Sequence, residues 1–182
     1  MFWNRKASPE QKAEALGEIL LDFVPDTANL VFSRLHECNV KPDEADTLHL
    51  LIELFVFYMH ILDRLAFREL GSQQKSVFGD RLIVTVANGI TTRIHNDPSG
   101  AEFIVATLRD TYNRRQQEYA RYRKIVPHGD EGTKDTLFWE FAKLLFNLFV
   151  DNNDTFDLLA LHVTVSTASI PFLKQANEIL RS

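Results

Sequence analysis

His49, Glu53, His60 and Asp63 are the residues whose types and spacing could do chemistry together. A helix turns about 100° per residue, so the four fall within a sector of roughly 80°. Val56 fills the gap in the same line. His49 and Glu53 form a His-x-x-x-Glu pair, and His60 and Asp63 a His-x-x-Asp pair; either spacing can place two side chains on one ion. Helical bundles build metal sites from such inward pairs on facing helices. Imidazole with carboxylate suits zinc, iron or manganese, and a metal held there supports hydrolytic or redox chemistry. Glu53 and His60 would hold the ion, while Asp63 would bind it or orient His60. A second helix has to supply the rest, and the candidates are Glu140 and His162.

The same line has a plainer reading of at least equal weight. A buried helix often carries a few polar residues that pair among themselves and set packing register. Glu53 can accept from His49 or His60, and Asp63 can bridge to a neighbouring Arg. No established metal signature is present: the ferritin-like pattern needs Glu-x-x-His on two helices, and one line is visible here. There is also no phosphate-binding Gly loop, Gly-x-Ser-x-Gly elbow, Cys-x-x-Cys or His-Glu-x-x-His.

A second constellation lies between Arg109 and Lys124. Arg109, Arg114, Arg115, Arg121, Arg123 and Lys124 stand against Asp110 and Glu118, with Tyr112, Tyr119 and Tyr122 interleaved. Arg and Tyr together can hold phosphates and stack on bases, and they are also enriched at protein–protein hot spots. The net charge of -5 argues against nucleic acid. A protein partner or a second copy of the chain is expected instead, through Tyr112, Arg115, Tyr119 and Tyr122. The alternative is a solvated helix end whose tyrosine rings pack inward. Phe2-Trp3 beside Arg5-Lys6 could touch a partner, but so short a stretch holds no membrane by itself. His95-Asn96-Asp97 and His128-Gly129-Asp130 read as solvated loops.

The elements that must position these residues are helices. Ser8, Pro9 and Gln11 mark the start of the first, as N-cap, first-turn proline and capping box, and Pro25 is expected to end it. A second helix follows to about Glu37. The third, about 43–70, is the long central one, apolar almost all round from Leu48 to Phe67, with Gly71 closing it. A fourth spans about 73–94, with Phe78, Leu82, Val86 and Ile90 in register. Asn96 to Gly100 is a loop, and Ser99 with Glu102 a capping box for the fifth, which Pro127 stops. The sixth, about 134–150, points Leu137, Phe141, Leu144 and Leu148 inward. After Asn152-Asn153-Asp154 the seventh runs to about Leu180, kinked at Pro171. Val163 to Thr167 is the segment least expected to be helical.

The chain has 182 residues, with 7 Gly and 6 Pro, which fits one domain built from long elements. The expected fold is all-α: a single-domain bundle of six or seven helices over 1–182, residues 1–7 forming a flexible N-terminal segment. The single cysteine, Cys38, fits a reducing compartment, and with no apolar leader a cytoplasmic protein is expected. The stretch from Leu48 to Phe67 is too charged to span a membrane. Together these point to a protein-interaction or regulatory module, rather than an enzyme, that associates with itself or another protein.

Overall fold

The computed structural model describes residues 7–94, 101–122, 124–125, 135–150 and 155–182. Five helices form the bundle: α1 (Pro9–Glu37), α2 (Glu44–Gly89), α3 (Ala101–Tyr119), α4 (Leu137–Phe149) and α5 (Thr155–Arg181). A π-helical turn, Ile90–Ile94, extends α2. No strand occurs among the described residues; Lys124 and Thr136 form an isolated bridge. Expectations that fall on Phe2 to Lys6, His95 to Gly100, Arg123, His128 to Asp130 and Asn152 to Asp154 lie outside the described residues.

The all-helical fold and the long central helix are as expected, but the count is five, not six or seven. One proline reading accounts for part of the difference. Pro25 does not end α1, because one buried stripe (Leu16, Leu20, Leu21, Val24, Ala28, Val31, Leu35) runs through it. A proline removes one backbone bond, and packing on both sides offsets that loss. Likewise, α5 runs as one helix through Pro171. Val163 to Thr167 is helical, with the hydroxyls of Thr164 and Ser166 donating to the carbonyls of Ala160 (2.9 Å) and His162 (2.7 Å). The expected third and fourth helices are joined as two limbs of α2, bent at Gly71, whose φ of 80° and ψ of 173° lie outside the helical region.

The helix ends follow from sequence chemistry. Ser8 Oγ accepts from the Gln11 amide at 3.3 Å, and Gln11 Oε1 accepts from the Ser8 amide at 2.9 Å. Asp43 and Asp46 make the same reciprocal pair at the start of α2. Thr136 caps α4. Two C-terminal ends are capped from elsewhere in the fold. Lys12 on α1 donates to the Leu180 carbonyl at 2.7 Å, and Arg64 on α2 donates to the Tyr119 and Tyr122 carbonyls at the end of α3.

The first limb of α2 is the centre of the bundle. Every residue from Glu53 to Leu62 is buried. Phe57 stacks on Phe141 of α4 with ring centroids 4.0 Å apart, and Phe138 meets its edge. On the other side, Tyr58 packs with Phe23 and Phe172, and its hydroxyl pairs with Ser169 at 2.7 Å. The second limb lies against α1. A Cβ on Gly89 would sit 2.0 Å from Leu21 Cδ1, because the Leu21 side chain lies directly on the Gly89 backbone. The buried face of α4 is Leu137, Phe138, Phe141, Ala142, Leu145 and Phe146, whereas Leu148, expected inward, is exposed.

A Cβ on Gly71 would meet nothing within 4 Å, so its constraint is conformational. Gly71→Ala is expected to lower stability by about 1–3 kcal/mol, the cost of an L-residue in that region. Gly79→Ala, on the same limb and also unobstructed, should instead gain roughly 0.5–1 kcal/mol. Urea denaturation of the two variants checks this, and equal stabilities would show that the bend does not depend on Gly71.

Candidate functional site

The four residues of the polar line do share one side of α2, and three of them face α3 or its end. Glu53 has no solvent exposure. It receives a bidentate pair from Arg115: Nε to Oε2 at 2.9 Å and Nη2 to Oε1 at 2.6 Å. Arg114 stands 3.5 Å from the same carboxylate and the exposed His49 3.6 Å. Arg115 also binds Glu118 at 2.7 Å. Burial disfavours the Arg115 charge, but the bonds to Glu53 and Glu118 outweigh it and hold the guanidinium more firmly protonated than usual.

Two turns along, His60 is stacked on the Tyr112 ring, with centroids 4.0 Å apart. Its Nε2–H donates to the Tyr112 carbonyl at 3.1 Å, which fixes the neutral tautomer. Burial lowers the His60 pKa to about 4, and the Arg64 and Lys75 charges act the same way against that hydrogen bond. Asp63 binds Lys75 Nζ at 2.8 Å across the Gly71 bend and hydrogen-bonds the Tyr112 phenol. Burial, then the Asp63 charge, push that phenol's pKa up.

The line therefore does not gather into one centre. Among the described residues no three His, Cys, Asp or Glu side chains converge as a metal site would require. Glu53 faces arginines, His60 a backbone carbonyl and an aromatic face, and Asp63 a lysine. Of the expected partners, Glu140 binds Lys143 and the Tyr122 phenol, whose pKa is pushed up to about 12 by burial and that bond. His162 is buried on α5 against the edge of Trp139, with neither ring nitrogen hydrogen-bonded among the described residues, and burial lowers its pKa.

The expected partner face on α3 is likewise spent inside the fold. Arg115 and Tyr119 are buried, Tyr112 and Tyr122 half-buried. The sequence signal that could have paired the two constellations is charge: one carboxylate stood on an apolar helix, and an Arg-rich helix stood elsewhere.

Among the described residues, two regions stand out by what they expose. One is a cleft of about 510 Å³ at the Gly71 bend, lined by both limbs of α2 and by α3. The other is the outer side of α5, where Phe156 is 72%, Leu159 44%, Val163 51% and Ile170 63% exposed. Among the described residues this helix, not the stretch from Leu48 to Phe67, is the one long and apolar enough to cross a membrane by length and composition, and 28% of its apolar window is buried. Core helices of soluble proteins pass the same test.

Arg115→Ala would leave Glu53 buried beside weaker partners, and is expected to cost about 3–5 kcal/mol, against at most about 1 kcal/mol for the exposed Arg114→Ala. A Glu53→Met, Arg115→Met double variant should recover most of that loss. Chemical denaturation of the three decides; a double variant as unstable as Arg115→Ala would show that the pair does more than neutralise itself.

His60 gives a pH dependence with a definite sign. Its folded pKa lies below the unfolded value, so its contribution is whole above about pH 6.5 and is lost as pH falls towards 4. The loss is expected to reach about 3 kcal/mol. Urea midpoints from pH 7 to 4 should fall more steeply in the parent than in His60→Gln; parallel slopes would mean that His60 accepts a proton without penalty.

No protein-family model, no curated protein and no solved structure matches this chain, so its geometry alone carries the functional reading.

Proposed function

We propose that this protein is a helical interaction module that pairs with a second copy of itself through the outer face of α5. The observation that carries the reading is the line Phe156, Leu159, Val163, Ile170, spaced i, i+3, i+7 and i+14 and exposed along its length. These residues fall within roughly 60° on the helix, opposite the buried Leu161, Val165, Phe172 and Ala176. An apolar line of this kind, kept at a cost in solubility, marks an association surface.

Pairing with itself is favoured by how charge is placed. Exposed charge on α5 is confined to its last turns, at Lys174, Glu178 and Arg181, while Asp157 lies at the other end. An antiparallel twofold pair sets the basic end of one helix beside the acidic end of the other and opposes the two helix dipoles. Val163 then lies near the axis, facing its own equivalent. The earlier expectation of a self-associating module is kept, with its surface moved from α3 to α5.

Sedimentation across a range of concentrations tests this. The parent should show a monomer–dimer equilibrium, and Val163→Glu, which sets two carboxylates face to face, should weaken it on the order of 100-fold (about 3 kcal/mol) without changing fold stability. A parent monomeric at every concentration would refute the reading. Binding of that monomer to neutral phospholipid vesicles, lost in Val163→Glu, would assign the face to a membrane instead.

A further inference from the structure

The cleft at the Gly71 bend is built differently from the α5 face and does not depend on it. Its volume of about 510 Å³ is within the range of small-molecule sites. Its floor is apolar: Met59 from the first limb of α2, and Phe78, Leu82 and Ile83 from the second. Phe67 stands at the rim with 57% of its surface uncovered, an aromatic side chain without a neighbour to cover it.

Four charged groups line the cleft, and they are not equivalent. Asp63 is already neutralised by Lys75 at 2.8 Å and hydrogen-bonded by the Tyr112 phenol. Asp80 also lines the cleft, at the edge of the stripe Ser72, Lys75, Ser76, Gly79 and Ile83, and forms no ion pair with another described residue. Arg109 lies at the head of the α3 face that lines the cleft, which continues through Tyr112, Asn113 and Gln116 at i+3, i+4 and i+7. It forms no ion pair or hydrogen bond with the other described residues. The cleft thus offers an apolar floor, hydroxyl and amide groups, and one uncommitted guanidinium, the side chain suited to holding a carboxylate through two parallel bonds.

We propose that this cleft binds a small amphiphilic monoanion, a medium-chain aliphatic carboxylate, with its carboxylate on Arg109 and its chain over Phe78, Leu82 and Ile83. Phe67 closes over the chain from the rim. Gly79 leaves the middle of the cleft open: a Cβ there would meet nothing within 4 Å, so a larger side chain enters the space without displacing anything at its first atom.

Isothermal titration of the full chain with octanoate and decanoate tests the proposal, with octylammonium and octanol as controls. Saturable binding of one carboxylate per chain is expected, tightening roughly twofold to fourfold per added methylene. Arg109→Gln should weaken it at least tenfold. Gly79→Leu should abolish it while folding as stably as the parent, because it fills the cleft and also improves helix propensity. Absence of saturable binding by either carboxylate overturns the proposal. Tighter binding of octylammonium, dependent on Asp80, overturns the choice of an anion, as would equal binding of octanol. Binding that survives Gly79→Leu but is lost in Val163→Glu places the chain on α5, and the cleft is then not the site.

Discussion

A carboxylate without any solvent exposure stands in the middle of an otherwise apolar helix, and most of the architecture can be traced to how it is neutralised. A carboxylate at that depth needs a cation that meets it with good geometry, because desolvating an unpaired carboxylate costs several kcal/mol. Arg115 supplies both parallel bonds. That requirement sets the register of α3 against α2. Once Arg115 is opposite Glu53, the residue one turn before it, Tyr112, lies over His60, and the residues one and two turns after it bring the end of α3 to Arg64. The seam is a ladder of polar contacts whose rungs agree, which is how a buried polar network specifies one packing.

Much of this could be read from residue order, and what could not has identifiable causes. The Ser8 and Asp43 starts, the inward positions Phe78, Leu82, Val86 and Ile90, and the glycine at position 71 follow from local rules, so the helices were visible in outline. The helix count was misjudged because proline rules are local and packing is not: the stripe from Leu16 to Leu35 is continuous through Pro25, and periodicity would have outweighed the breaker had it been followed across. The polar line was correctly placed on one side of α2. Its partners were not, because which helix faces another is a tertiary fact. A metal shell and an arginine clamp demand the same spacing of acids on one helix; only the residue opposite distinguishes them, and that residue is Arg115, 62 positions away. For Tyr112 and Tyr119 the sequence leaves two readings, a partner face or rings packed inward, because an aromatic ring beside Arg fits both.

The Gly71 bend is the second constraint, and it connects the seam to the cleft. A straight helix of this length would carry its second limb away from α3. The left-handed φ at Gly71 turns the limb so that Lys75 reaches back to Asp63. The ion pair spans the bend and the Tyr112 phenol joins it, so the wall of the cleft is held by the same residues that end the polar ladder. The cleft is therefore not a gap left by poor packing. Its walls are tied, its floor is apolar, and the guanidinium on its third side has been left out of the ties.

The outer faces of the helices differ in a way that bears on which surface is used. Along α1 the exposed side is acidic, with Glu10, Glu18, Asp22 and Asp26. Along α3 it alternates Arg109, Asp110, Arg114 and Glu118. Both are what a solvated face should be, since charged side chains keep their hydration at little cost. From Phe156 to Ile170 the outer side of α5 has no charge that is exposed, and of its hydroxyls those of Thr164 and Ser166 are bonded to their own helix. Those internal bonds leave the surface with little to offer water and little to lose when it is covered. Single exposed apolar residues occur on the other helices too, Leu30 on α1 and Phe103 on α3; α5 differs in carrying four of them in one line.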